Sequence, residues 1–397
     1  MTIISTILIK NGLVRGIGSF IQSDLGRKMV FLGGPRQVGK TTLARSLLQQ
    51  SEKGGRYFNW DLDEDRQAVL NKRWSKMDHL LVFDELHKFH RWKSWAKGVF
   101  DVYGNQHQIL VTGSARLDVY RKGGDSLVGR YHYWRLHPFT LDEVPSEINP
   151  EIAFERLMSL GGFPEPFLSG DEREARRWRR ARLDQVIRED IRDLETVRNI
   201  QGLSVFLDML RSRVGGMVVL SNLAEDLQIA PQTAKAWLEV IERMYLVFRV
   251  APYARTIPRA IRKPPKVYFF DNGDVIGGPG KKFENLIATL LLKRLHFIED
   301  FEGYRCELRY IRDKEGREVD FAVFVDGSLE ELIEVKYKEE TVSRSLIYYT
   351  ERLKPKRAYQ LVAGLDKPYD RGNIRILSPL QYVEEREARS QSLGSWI

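Results

Sequence analysis

Cysteine is nearly absent, since Cys306 is the only one in 397 residues. One thiol cannot pair within the chain, so a disulfide framework is excluded, as is a zinc site built on several thiolates. Such usage suits a reducing compartment, and the expected location is the cytoplasm. Long hydrophobic runs are missing too. The apolar stretch Ile3–Ile9 is too short to span a bilayer and has neither a basic leader nor a small-residue cleavage site, so it reads as a short buried element and no membrane partner is expected. Internal repeats and low-complexity tracts are absent.

What is present is the composition of a soluble globular protein, 43% hydrophobic and 29% charged. The length is too great for one core and predicts two to three domains. Lysine and arginine outnumber the acids by nine, which favours an anionic partner, nucleic acid before membrane surface.

The first informative segment is Met29-Val-Phe-Leu32, an apolar run that ends in GGPRQVGKTT. Residues Gly34 to Thr41 match G-x-x-x-x-G-K-[ST], with a strand pattern before and helical spacing after. Gly34 and Gly39 let the backbone turn its N–H groups inward, and a helix opening at Lys40 aims its positive end at the same point. Lys40 then adds a charge for the outer phosphates of a nucleotide, and Thr41 a hydroxyl for Mg²⁺. The whole cradle is Gly34, Pro35, Arg36, Gln37, Val38, Gly39, Lys40, Thr41 and Thr42, and the expected cofactors are ATP and Mg²⁺. A glycine-rich turn that binds nothing is the alternative, disfavoured because motif and context agree.

Tyr57–Leu62 and His79–Glu85 are the next expected strands. The second ends in Asp84-Glu85, two acids at the carboxyl edge of a parallel sheet, where α/β proteins bind ligands. Asp84 is expected to hold Mg²⁺ and Glu85 to polarise an attacking water. His87 and His90 read as a polar helix start rather than a metal pair. A further strand, Gln108–Ser114, ends in hydroxyls. Ser114, or second to it Thr112, would orient the water. Arg130, before the strand Tyr131–Leu136, is a candidate γ-phosphate contact in its own subunit or a neighbour's, with a plain salt bridge as the alternative.

The set GGPRQVGKTT, LLVFDEL, VTGSAR, GRYHYWRLHPFTLDEV and LGGFPEPF resembles a group of AAA+-type ATPases of archaea and bacteria that carry a characteristic C-terminal domain. The resemblance covers nearly the whole chain. It implies a parallel sheet with helices on both sides, roles for Lys40, Thr41, Asp84, Glu85, Ser114 and Arg130 as above, and a possible homo-oligomer.

Asp171–Val197 is a helical stretch dense in arginine (Arg173, Arg176, Arg177, Arg179, Arg180, Arg182) and reads as a solvated face laced with i,i+4 pairs in preference to a DNA surface. Leu220–Val250 has a different pattern. Ser221 or Asn222 would cap a short helix, Gln228–Ala230 turns, and Pro231 opens a second helix with Ala234, Trp237, Leu238 and Ile241 inward. Two strand-like pieces follow, Leu246–Ala251 and Lys266–Phe270, around a basic loop with Arg255, Arg259, Arg262 and Lys263. This resembles a winged helix. Gln232, Thr233 and Lys235 would face a DNA major groove, and the loop would neutralise phosphates. A winged helix used only for packing is the alternative.

From Lys282 the order is helix, three strands, helix, strand. Glu334 and Lys336 lie two apart and share a face, and a hairpin turning about Gly327 sets Asp320 opposite Glu334. Two carboxylates can hold a divalent ion that activates water, with a lysine steadying developing charge. This looks like the PD-(D/E)xK nuclease superfamily, with catalytic Asp320, Glu334 and Lys336, and with Glu284, Asp320 and Glu334 as metal ligands. Val319 stands where the superfamily's proline-aspartate pair would begin.

The predicted fold class is therefore α/β in three domains: a P-loop AAA+ domain with a helical lid over 1–200, a winged helix-turn-helix over 201–270, and a restriction-endonuclease-like α/β domain over 271–397. The function that follows is an ATP-hydrolysing, DNA-associated protein with a nuclease-like domain. Its rivals are an ATP-dependent switch that grips DNA or protein and whose C-terminal domain is silent, and a membrane-surface or protein-only adaptor.

Overall fold

Strand β1 (Met29–Gly33) is buried along its whole length, as the apolar run requires of a strand covered on both faces. It lies between β4 (Gln108–Thr112) and β5 (Tyr131–Arg135), and β4 leads outward to β3 (Leu80–Asp84) and β2 (Gly55–Asn59). All four pairings are parallel. The carboxyl ends of β1, β3 and β4 therefore meet at one edge. One face of this sheet is an aromatic core, in which Phe58 stacks on Phe83 at 5.4 Å and Phe31 on Tyr131 at 4.5 Å, with Trp92 and Trp95 edge-on. Helix α1 (Gly18–Leu25) precedes β1, and α2 (Lys40–Gln50) follows it, burying Leu43, Ala44 and Leu47.

The structure, a computed structural model, describes residues 15–113, 127–145, 147–191, 199–253, 263–339 and 341–393. Ser114, Arg255, Arg259, Arg262 and the stretch Ile3–Ile9 lie outside the described residues. The described chain falls into two compact units, one within Met1–Pro138 with Arg243–Tyr245, the other within Phe139–Glu242 and Leu246–Ile397. The first division between these units falls after Pro138. Helix α3 (Pro150–Ser159) belongs to the second unit, where Phe154 meets Phe283 at 6.0 Å and the Leu157 carbonyl accepts from Asn272.

In that second unit an eight-stranded sheet runs, in spatial order, Tyr369–Arg371, Ile374–Leu377, Arg357–Val362, Ser328–Lys336, Glu318–Val325, Cys306–Arg312, Val247–Pro252 and Lys266–Phe269. Strands β6 (Val247–Pro252) and β7 (Lys266–Phe269) pair antiparallel, and the end of β6 pairs parallel with β8 (Cys306–Arg312). The segment expected as a separate winged module thus supplies two strands to the C-terminal sheet. Helices α4 (Leu220–Asp226) and α5 (Pro231–Arg243) precede β6; α5 buries Ala234, Trp237, Leu238 and Ile241 as its periodicity predicts. The first of these helices starts at Leu220 with no side-chain cap, so neither Ser221 nor Asn222 fills that role.

Strands β9 (Glu318–Val325) and β10 (Ser328–Lys336) form the hairpin, with Ile333 opposite Phe321. A helix, α6 (Arg344–Leu353), crosses to β11 (Arg357–Val362), parallel to β10 as a crossover connection allows. Two further strands, β12 (Tyr369–Arg371) and β13 (Ile374–Leu377), complete the sheet. A long helix, α7 (Pro279–Phe297), carries Glu284. Among the described residues no helix is long and apolar enough to cross a membrane.

The arginine-rich stretch divides in two ways. It is α-helical over Glu172–Gln185 and continues as a π-turn over Val186–Ile191. Arg173, Arg176, Arg177 and Arg180 are exposed, with one i,i+4 pair, Arg176 to Glu172 at 3.2 Å. Arg182 is buried over the Phe163 ring at 3.9 Å, and Arg179 reaches Asp271 at 3.7 Å. Part of this face is therefore internal packing and not a solvated surface.

Candidate functional site

The loop after β1 needs backbone shapes that most residues resist. Gly34 has φ +133°, and a Cβ there would lie 2.3 Å from the Leu136 carbonyl oxygen of the chain leaving β5. Gly39, at φ +100°, starts α2. Gln37 sits between them at φ +64°. Pro35, Arg36, Val38 and Thr42 complete the turn, and Arg15, itself buried, donates to the Val38 and His137 carbonyls, so the loop is braced from behind. The Lys40 ammonium folds back onto the Gly34 and Pro35 carbonyls at 3.1 and 2.7 Å. The loop thus closes on its own cation, at the amino end of a helix.

Asp84 ends β3 at this edge and is 4% exposed. Three hydroxyls converge on it. Thr41 donates to Oδ2 at 2.7 Å, Tyr57 to the same oxygen at 2.5 Å, and Thr112 to Oδ1. The Thr41–Asp84 contact joins the phosphate loop to the acid pair, as parallel β1 and β3 flanking β4 require. Thr112 is fully buried and spends its hydroxyl on Asp84, which leaves it out of the water-orienting role. Tyr57 was not singled out from sequence. Its signal was a polar-tipped aromatic on a strand two places before Asn59, where β2 pairs with β3.

Glu85 follows in the left-handed region, φ +58°. It lies 3.5 Å from Lys88 and 3.8 Å from His87. Burial pushes its carboxyl above the ordinary value, and Lys40 and Lys88 oppose that shift. A raised carboxyl is better matched to taking a proton near neutrality. His87 is buried, His90 exposed.

Arg130 is placed elsewhere. Tyr131 pairs with Met29, at the start of β1, while the phosphate loop leaves its end. Four residues of strand separate the two edges by roughly 13 Å. Arg130 bonds to Asp101 at 2.7 and 3.3 Å. A phosphate contact within its own chain is not what this register provides.

The second constellation lies on the C-terminal sheet. Continuing the register from Ile333–Phe321 sets Asp320 opposite Glu334, as the hairpin spacing predicts. Asp320 Oδ2 accepts from the Val335 N–H at 2.9 Å, and Lys336 bonds to Glu334 at 2.9 Å. Burial and the nearby Asp320 raise the Glu334 carboxyl to about 7. The residue that sequence reasoning missed is Lys266. It enters from β7, is 1% exposed, and sits 2.7 Å from Glu318, 3.2 Å from Glu284 and 3.3 Å from Asp320. Tyr268, two places on and on the same face, donates to Glu284 at 2.7 Å. Burial disfavours the Lys266 ammonium, but Asp320, Glu284 and Glu318 outweigh it and hold the group charged well above the usual lysine value. The signal was a lysine at an inward position of an otherwise apolar strand, which must have an acid partner.

The divalent ion that the nuclease resemblance implies does not fit this donor set. The Asp320 oxygens are taken by the Val335 amide and Lys266, Glu284 Oε1 by Lys266 and Tyr268, and Glu334 Oε1 by Lys336, which leaves the buried Glu334 Oε2 as a single open oxygen, too few to hold the ion. Among the described residues no group of three or more His, Cys, Asp or Glu could hold a metal ion.

Against known proteins, residues 26–145 match the family model described as AAA domain, in agreement with the parallel sheet and phosphate loop of that segment. Residues 151–275 and 279–383 match models described as domains of unknown function, DUF8612 and DUF4143. Particular relatives are distant. The uncharacterized Mycobacterium tuberculosis protein Rv2008c is 26% identical over 245 residues, covering 62% of this chain and 54% of that one. The uncharacterized protein MJ1544 of Methanocaldococcus jannaschii is 24% identical over 389 residues, covering 88% and 82%. The match thus spans about half the length of the mycobacterial relative. Among solved structures, the RuvB Holliday junction branch migration motor of Thermotoga maritima aligns with a TM-score of 0.30 at 16% identity, over 61% of this chain and 88% of that one. AMPPCP-bound DnaA from Aquifex aeolicus aligns with 0.29 at 15%, over 57% and 86%.

Proposed function

We propose that this protein binds and hydrolyses ATP with Mg²⁺, and that the cycle controls association with DNA. The single observation that carries the reading is the Thr41–Asp84 hydrogen bond at the mouth of the glycine-shaped loop, because it assembles phosphate cradle and metal-holding oxygens at one sheet edge. The residues fit the cofactor. Lys40 would exchange two backbone carbonyls for phosphate oxygens, a stronger charge-assisted contact. Thr41 and Asp84 would hold Mg²⁺, which supplies neutralisation of the phosphate charge. Glu85, with its raised carboxyl, would hold the attacking water and accept its proton. Ser114 keeps its proposed water-orienting role. Arg130, at the far edge in its own chain, would serve a neighbouring copy, which makes a homo-oligomer part of the proposal.

The DNA reading rests on the helix pair α4–α5 followed by the β6–β7 hairpin, the order of a winged helix. Gln232 and Lys235 are exposed on the second helix and Thr233 partly so, free of the apolar face that packs inward. Binding through such a surface weakens steeply with salt.

The test is Glu85→Gln. This variant should bind ATP as tightly as the wild type and release phosphate at least ~100-fold more slowly. Retained turnover would remove Glu85 from the mechanism. A second reading, the ATP-driven switch with a silent C-terminal domain in place of a working nuclease, is favoured by Lys266 in the carboxylate cluster.

A further inference from the structure

We infer that Lys266 is the resident cation of the C-terminal carboxylate cluster, a tethered ammonium standing where a nuclease would place a divalent ion, and that the domain consequently takes up no metal there. The inference rests on the nuclease-like reading of the hairpin, since only that reading gives the cluster a metal to exclude.

Geometry makes the exclusion strict. The ammonium lies within 3.3 Å of Glu284, Glu318 and Asp320, one from the long helix α7 and two from β9. These are the distances of direct charge-assisted contact, so any ion sharing those oxygens would stand almost against the ammonium. The lysine cannot step aside, because its side chain is 2% exposed and its strand is fixed by pairing to β6. Its exit from the cluster would leave a charge buried without partners. Most of the charge is also already offset, with one negative charge in excess. Four carboxylates, Glu284, Glu318, Asp320 and Glu334, face three cations, Lys266, Lys336 and Arg312, the last bonded to Glu318 at 2.7 Å. Little negative charge remains to attract a divalent ion, and the one Asp320 oxygen not held by Lys266 is occupied by the Val335 amide.

The same arrangement predicts a concealed site. With the ammonium removed, Glu284 Oε1, Glu318 Oε1 and Asp320 Oδ1 would lose the cation they share, while Tyr268, Arg312 and the Val335 amide would keep their own bonds to the three carboxylates. Hard carboxylate donors of this kind suit Mn²⁺ or Mg²⁺.

The experiment measures Mn²⁺ uptake by nucleotide-free, full-length protein, using the resonance of free Mn²⁺. Wild type and Asp320→Ala should take up Mn²⁺ alike. Lys266→Ala should gain one site at least about tenfold tighter than any in the wild type, lost again in Lys266→Ala/Asp320→Ala. Weaker uptake by Asp320→Ala than by wild type would overturn the inference, and so would a folded Lys266→Ala that gains no site. If Lys266→Ala does not fold, wild type against Asp320→Ala decides alone, with the effect of Mn²⁺ on unfolding temperature as second readout. Without nucleotide present, failure here leaves the ATPase reading untouched.

Discussion

Replacing Tyr57 by phenylalanine removes one hydroxyl from the cage around Asp84 and little else. That hydroxyl donates to Asp84 Oδ2 at 2.5 Å, and burial together with Asp84 holds its proton well above the ordinary tyrosine range, so it stays a donor throughout the accessible pH range. The ring is kept, and with it the Arg45 guanidinium stacked over it at 4.6 Å, so the change reports the hydrogen bond alone. A hydrogen bond to a charged group contributes about 1.5–3 kcal/mol net, and a half-buried one belongs at the low end, about 1.5 kcal/mol or roughly tenfold in an equilibrium. Thr41 and Thr112 still satisfy the carboxylate, which argues against a larger loss. Hydrogen exchange is the right assay, because it reads local opening of one unit in a chain that has two. Amides of Leu80–Asp84 in nucleotide-free Tyr57→Phe should exchange about tenfold faster than in the wild type, and Mg²⁺ with ATP should narrow the gap. Exchange unchanged by the substitution would refute the cage as a source of order, and a gap insensitive to Mg²⁺ with ATP would refute its link to the nucleotide site.

Two further outcomes follow from the same geometry. Gly34→Ala places a Cβ 2.3 Å from the Leu136 carbonyl at a φ of +133°. Strain and overpacking together should cost about 2–5 kcal/mol, read as lower unfolding temperature and ATP affinity down more than tenfold by calorimetry. In the C-terminal unit, Arg294 bonds twice to buried Glu331 at 2.8 Å, and Tyr382 donates to the same carboxylate. Burial alone would raise the Glu331 carboxyl, but Arg294 outweighs it and holds it at about 2, below the ordinary 4.5. Its contribution is therefore present above pH about 4.5 and lost as pH falls through about 2. Glu331→Gln should destabilise the unit by roughly 3 kcal/mol at neutral pH and flatten the acid limb of stability against pH.

Legibility in the sequence followed the range of the interactions. The apolar run Met29–Leu32 with its glycines, the strand into Asp84, and the helix Arg344–Leu353 all rest on local pattern, and the structure has elements in those places. The parallel α/β character of the N-terminal sheet was equally readable. The strand expected over Tyr57–Leu62 stops at Asn59, because the Asn59 side chain accepts from the Asp61 N–H and turns the chain. The short strands β12 and β13 were missed, being three and four residues with no clear alternation. Lys266 eluded the reading because its partners lie 18, 52 and 54 residues away on another helix and strand. Tyr57 did so because only the register of β2 on β3 brings it to Asp84.

Titration calorimetry of Mg²⁺·ATP into the full-length wild type and Lys40→Ala addresses the central claim most directly. A nucleotide cradle closed on its own lysine predicts saturable heat with one ATP per chain in the wild type and none in Lys40→Ala. No heat from folded wild-type protein, or equal heat from both, would contradict it.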